Sequence, residues 1–121
     1  MTTEPLLMSL RDLEIPLPPD VSGRIRRVRI TVRMIVAAGG EEAARSFDMD
    51  EVADLVRARS EMHFNTFETL IQQLRDEVMS VAGVISCVVS VRDVDTYLDA
   101  EALHISTLPD PKHAVLYGVL L

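Results

Sequence analysis

The sequence predicts an α+β chain in the element order ββααββ, an antiparallel four-stranded sheet with two helices, and three observations carry that reading. The stretch Arg26–Val36 alternates strictly: Val28, Ile30, Val32 and Met34 fall on one side, while Arg27, Arg29, Thr31 and Arg33 fall on the other. That is the period of a strand with one buried face. Farther on, Leu70, Ile71, Leu74, Val78 and Val81 recur at three- and four-residue steps, the pattern of a helix burying one stripe. Residues 84–92 and 114–121 are apolar runs of strand length.

Each element follows from local chemistry. Residues 6–15 read as a first strand, stopped by Pro16, Pro18 and Pro19, which cannot donate ladder hydrogen bonds. A turn at Ser22 and Gly23 leads into the second strand, and residues 37–46, around Gly39 and Gly40, read as a loop. Asp48 caps a first helix, with Glu51 three residues on and Val52, Leu55, Val56 and Arg59 sharing one face, and this helix ends before Asn65. The second helix begins after Asn65 and runs to about Val81, where Ala82 and Gly83 stop it. The segment 93–113 is long for a hairpin connection, and residues 95–103 within it read as a short helix. With no repeat, linker or low-complexity tract, residues 1–121 are expected to form a single domain.

Composition narrows the function classes. A hydrophobic content of 48% over 121 residues supports a real core. A net charge of −7 argues against nucleic-acid or anionic-membrane partners, which reward cationic surfaces. Residues 1–5 lack the basic and apolar regions of a signal peptide, and no apolar run approaches the ~20 residues of a membrane span, so a cytoplasmic location is expected. The single Cys87 excludes an internal disulfide and lies in a strand-like run where an inert thiol is the default. His63, His104 and His113 show no metal-ligand spacing, and no phosphate-binding glycine loop or nucleophile motif is present, so neither a metal nor a cofactor is expected. Asp93, Asp95, Asp99 and Glu101 read as surface charge rather than a paired acid/base site.

One segment carries a sharper signal. Phe64, Asn65, Thr66, Phe67, Glu68, Thr69 and Leu70 place a carboxylate in the first turn of the second helix, on the half-buried flank of its apolar stripe. The spacing fits a capping box, in which Asn65 caps the helix and Glu68 reaches back to the Asn65 N–H. It also fits recognition of a flat, guanidine-like ligand edge, to which a carboxylate accepts two parallel N–H bonds. Spacing does not choose between them.

The same seven residues resemble the Phe-Asn-Leu-Ile-Glu-Thr-Leu segment of dihydroneopterin aldolases, and they arrive after a helix and before a β-rich stretch, as they do in that family. The resemblance implies the tunnelling fold, in which an antiparallel sheet carries two helices on one face and several subunits close their sheets into a barrel. It implies self-association to a tetramer or octamer. It also implies that Glu68, with Phe67 and Thr69 beside it, grips the 2-amino and N3 edge of a pterin. In such a barrel Arg27, Arg29 and Arg33 would line the interior; in an open sheet they form a solvated face.

The departures from the family bear on its chemistry. The retro-aldol reaction there uses a lysine near the end of the third strand, a tyrosine at the start of the first helix and a glutamate after the first strand, contributed across a subunit interface. Here the single lysine is Lys112, in the last connection, and the third strand ends in Arg92 and Asp93. Arginine cannot serve as a base near neutral pH. Met49 stands at the tyrosine position, and Asp20 or Val21 at the glutamate position. The resemblance therefore implies a pterin-binding protein of pterin, folate or methanopterin biosynthesis, with Asp20, His63, Arg92 and Asp93 as weak catalytic candidates. If it is an enzyme, the class is a lyase or a related pterin-modifying activity. The alternative is a non-catalytic oligomeric binding or structural protein that kept the fold.

Overall fold

The computed structural model describes residues 5–17, 26–37, 47–62, 66–93 and 103–118. Within them the chain forms β1 (Leu6–Leu17), β2 (Arg26–Val36), α1 (Met49–Glu61), α2 (Phe67–Met79), β3 (Val84–Asp93), β4 (Leu103–Ser106) and a short 3-10 helix (Ala114–Tyr117). The strands make one antiparallel sheet in the order β1-β2-β3-β4. This is the α+β, ββααββ arrangement expected from the sequence.

The alternation of β2 decides which face is buried. Val28, Ile30, Val32 and Met34 are fully buried and join Val89 and Val91 of β3 and Ile15 and Leu17 of β1. Against this surface pack Val52 and Val56 of α1 and Leu70, Ile71, Leu74 and Val78 of α2. Both helices therefore cover one face. Arg59 of α1 lies 3.4 Å from Glu77 of α2, an ion pair across the helix seam whose members are partly shielded from water.

Four local expectations are corrected. β1 continues through Pro16 to Leu17, because β1 is an edge strand and a proline there forfeits no ladder bond that an inner strand would need. The fourth strand is Leu103–Ser106, paired with β3 from Ser90 to Asp93, rather than residues 114–121. In Ala114–Tyr117 the buried residues are Ala114 and Tyr117, three apart, and left-handed Gly118 closes the turn. That is a helical period, not the two-residue period of a strand. Finally, α2 is capped by Thr66 and ends at Met79. The loop over 38–46, the turn at 22–23 and residues 95–102 of the expected short helix lie outside the described residues.

Antiparallel order brings particular termini together. β1 and β3 finish, and β2 and β4 begin, at one end of the sheet, the upper end. α2 runs antiparallel to β3 through the tight connection at Ser80–Gly83, where Gly83 adopts φ +91°. The N-terminus of α2 thus lies at the upper end, beside the C-terminal end of β3.

On the face away from the helices, the C-terminal segment folds back onto the sheet. Thr107 N–H donates to the Val89 carbonyl at 2.9 Å, its Oγ1 accepts from Val89 N–H, and the Tyr117 hydroxyl donates to Ser86 Oγ at 2.9 Å. On the helix face, Cys87 Sγ lies 3.6 Å from the Arg75 carbonyl of α2. Burial pushes the Cys87 thiol from its ordinary 9.0 up to about 11, with Arg75 acting weakly in the opposite direction. Burial also raises the Tyr117 phenol.

A folded-state pKa raised above the unfolded one contributes stability below the unfolded value and loses it as pH rises through the folded value. The fold should therefore lose stability between about pH 9 and 11. Denaturant unfolding at several pH values checks this, and Cys87→Ala should flatten part of the decline. At pH 8 the folded thiolate population is about a hundredfold below that of an unfolded cysteine, so alkylation should be slower in the native protein by at least that factor. Equal rates in native and denatured protein would contradict the buried placement.

Candidate functional site

The upper end collects most of the residues singled out in the sequence. Glu68 is the second residue of α2 and is exposed, not half-buried as its flank position had suggested. Its neighbours explain why it is free. Thr66, not Asn65, is the N-cap: its Oγ1 accepts from the Thr69 N–H at 3.1 Å and lies 2.9 Å from Thr69 Oγ1. The residue three after the cap is thus Thr69, not Glu68, and the capping role considered for Glu68 falls away. Glu68 makes no hydrogen bond or ion pair among the described residues.

Phe67 and Thr69 play supporting parts. Phe67 is half-buried and packs against the core, fixing the first turn of α2, while Thr69 commits both its N–H and its hydroxyl to the cap. A ligand at this turn would meet the Glu68 carboxylate with the positive end of the helix dipole behind it.

Arg92 and Asp93 diverge. Asp93 closes β3 opposite Val28 and is 1% exposed, the one buried carboxylate among the described residues. Arg92 pairs with Arg29 on one side and His104 on the other, so it is half-buried on the face away from the helices. Successive strand residues point to opposite faces. Asp20 and His63 lie outside the described residues, between β1 and β2 and between α1 and α2 in the chain.

Met49 is placed differently. It is the first residue of α1, and Phe47, two residues before it, lies beside Gly83 at the opposite end of the sheet.

One local feature escaped the sequence analysis. Leu10 pairs with Val32 but Leu13 with Ile30, so Arg11 and Asp12 together oppose Thr31 in a β-bulge. Asp12 adopts φ 53°, and its N–H donates to Thr31 Oγ1 at 3.0 Å. The signal was the three-residue step between Leu10 and Leu13, both turned toward the helices, where strict alternation requires two. Among the described residues, no group of three or more His, Cys, Asp or Glu side chains is placed to hold a metal, and no helix is long and apolar enough to cross a membrane.

Comparison with known proteins bears on the fold. The sequence matches no protein-family model and no curated protein. The structure is similar to a dihydroneopterin aldolase from Burkholderia thailendensis bound to guanine, with a TM-score of 0.72 and 20% identity over 86% of this chain and 89% of that one. It is also similar to the Escherichia coli dihydroneopterin aldolase in complex with neopterin, with a TM-score of 0.66 and 11% identity over 84% of this chain and 98% of that one. At these identities the likeness is one of fold: the chain has the tunnelling fold of the dihydroneopterin aldolases.

The division of labour at the α2 terminus is testable by stability. Thr66→Ala removes the cap and should cost about 1 kcal/mol. Glu68→Gln gives up only a dipole interaction, in the range of about 0.3–1 kcal/mol at an exposed site. Urea unfolding of the two variants measures the difference, and a loss for Thr66→Ala no larger than that for Glu68→Gln would contradict capping by Thr66.

Proposed function

We propose that this protein binds a pterin or similar aminopyrimidinone through Glu68, at a junction between subunits of a homo-oligomer, as a dihydroneopterin-aldolase-like protein of pterin, folate or methanopterin biosynthesis. The observation that carries this reading is the release of Glu68 from capping. A carboxylate exposed at a helix N-terminus, with Thr66 and Thr69 satisfying the helix end, has both oxygens available for the paired N–H groups of a ring edge. The guanine and neopterin bound to the two similar structures both present such an edge.

Assembly supports the same site. β1 and β4 are the sheet edges, and β1 carries the exposed Leu6 and Leu7. Joining edges between subunits satisfies their free backbone groups. A tetramer or octamer follows, and light scattering coupled to size exclusion should report that mass. A ~13 kDa monomer alone at micromolar concentration would sink the barrel.

Glu68→Gln keeps the side-chain shape but loses the charge, and should weaken neopterin binding by about 1.5–3 kcal/mol. Calorimetric titration of wild type and variant tests this, and equal affinities, or no binding to either, would leave Glu68 with only its place in the helix.

For the chemistry, the candidates are Asp20, His63, Arg92 and Asp93, of which Asp93 closes β3 at the same end of the sheet as the Glu68 turn. Retro-aldol cleavage requires a proton to leave the side-chain hydroxyl and another to reach the ring-bound carbon. Loss of a positioned acid or base costs about 10²–10⁴ in rate. Met49 has no proton to exchange and Arg92 holds its own. Glycolaldehyde release from dihydroneopterin should therefore fall at least that far below the rate of an aldolase with lysine and tyrosine in place. A comparable rate would show that Asp93, Asp20, His63 or water supplies the missing steps.

A further inference from the structure

The face of the sheet away from the helices holds an open bay of about 530 Å³, unrelated to Glu68, which lies on the helix side. Its floor follows from the strand register. Thr31, Ser90 and Ser106 stand side by side on β2, β3 and β4, forming a row of hydroxyls across three strands. Thr31 Oγ1 accepts the Asp12 N–H and keeps its own proton to donate. The Ser90 hydroxyl makes no hydrogen bond among the described residues, whereas the Ser106 hydroxyl donates to the Thr107 carbonyl.

Two guanidiniums flank this floor. The bulge in β1 turns Arg11 out of the strand's alternation and into the bay, held there by the left-handed Asp12 and its bond to Thr31. Arg33, one pleat along β2 from Thr31, lies with its guanidinium carbon 5.6 Å from the centre of the Tyr117 ring. Its Nε–H is shielded from water and has no acceptor. Neither arginine makes an ion pair among the described residues, although the chain as a whole carries −7. Asp12 is the single carboxylate lining the bay among the described residues, and His104 adds an imidazole.

Unpaired arginines in an acidic protein, one of them with a shielded N–H lacking an acceptor, are costly unless something negative joins them. Hydroxyl donors without partners on the floor point to an acceptor-rich ligand. We propose that the bay is an oxyanion site, which takes a phosphate group between Arg11 and Arg33 over the Thr31 and Ser90 hydroxyls. Guanidinium groups match phosphate oxygens in pairs. The volume exceeds that of a phosphate alone, so the same chemistry serves free phosphate or a phosphate monoester whose organic part lies along Leu108 and Pro109.

The test titrates inorganic phosphate and phenyl phosphate into the purified full chain by calorimetry, at low salt, and repeats both with Arg33→Gln, Arg11→Gln and a control, Arg57→Gln, on the outer face of α1. Saturable binding is expected, weakened about tenfold or more by either bay substitution and unchanged by the control. Tighter binding of phenyl phosphate would identify a monoester as the ligand class, and equal binding free phosphate. Arg33→Lys, which keeps the charge and a donor, should restore part of the affinity and guards against a mere loss of folding. The proposal is overturned by an absence of saturable binding in the wild type, or by equal weakening in all three glutamine variants.

Discussion

The burial of one side of β2 is the constraint on which this structure depends. Val28, Ile30, Val32 and Met34 leave water together, each contributing about 1.5–3 kcal/mol on full burial, and among the described residues the stripes of α1 and α2 cover them. The antiparallel register passes this one-sidedness to the neighbours. Val32 faces Val89 and Ile30 faces Val91 on the helix side, while Thr31 faces Ser90 and Arg29 faces Arg92 on the other. A slip of one residue would bring the arginines under the helices, so the hydrophobic pattern fixes the register.

From that constraint follows the separation of the two regions with chemical promise. Because both helices lie on one face and α2 runs antiparallel to β3, the N-terminus of α2 arrives where β3 ends, and Glu68 and Asp93 share an end of the molecule. The opposite face is left to polar side chains, and there the bulge, the hydroxyl row and Arg33 form a bay with its own electrostatics. Thr66 matters to the first region in the same way that Asp12 matters to the second. Each satisfies local backbone needs, leaving a charged neighbour free for a ligand.

Strong periodicity made the central elements legible in the sequence. β2, α1 and β3 were readable because their apolar residues recur at a single period, and Glu68 because its segment resembles a known family. The misreadings arose where two influences compete. Pro16 has the look of a stop because proline breaks inner strands, yet an edge tolerates it. The run around Val115, Leu116 and Tyr117 has strand composition, but the β3 edge beside it is already taken by β4, and its buried residues follow a helical spacing. Asn65 and Thr66 are both good caps, and only backbone geometry distinguishes them. The bay was invisible because its residues come from three strands and a bulge, a juxtaposition that no local window contains.

The central claim is that the Glu68 carboxylate is the ligand-gripping group. A crystal structure of the protein grown with neopterin tests it most directly. The account predicts both carboxylate oxygens within about 2.7–2.9 Å of the ring's amino and N3 nitrogens, with Thr66 still capping α2. A ring bound elsewhere, or Glu68 turned to solvent beside an occupied pocket, would contradict it.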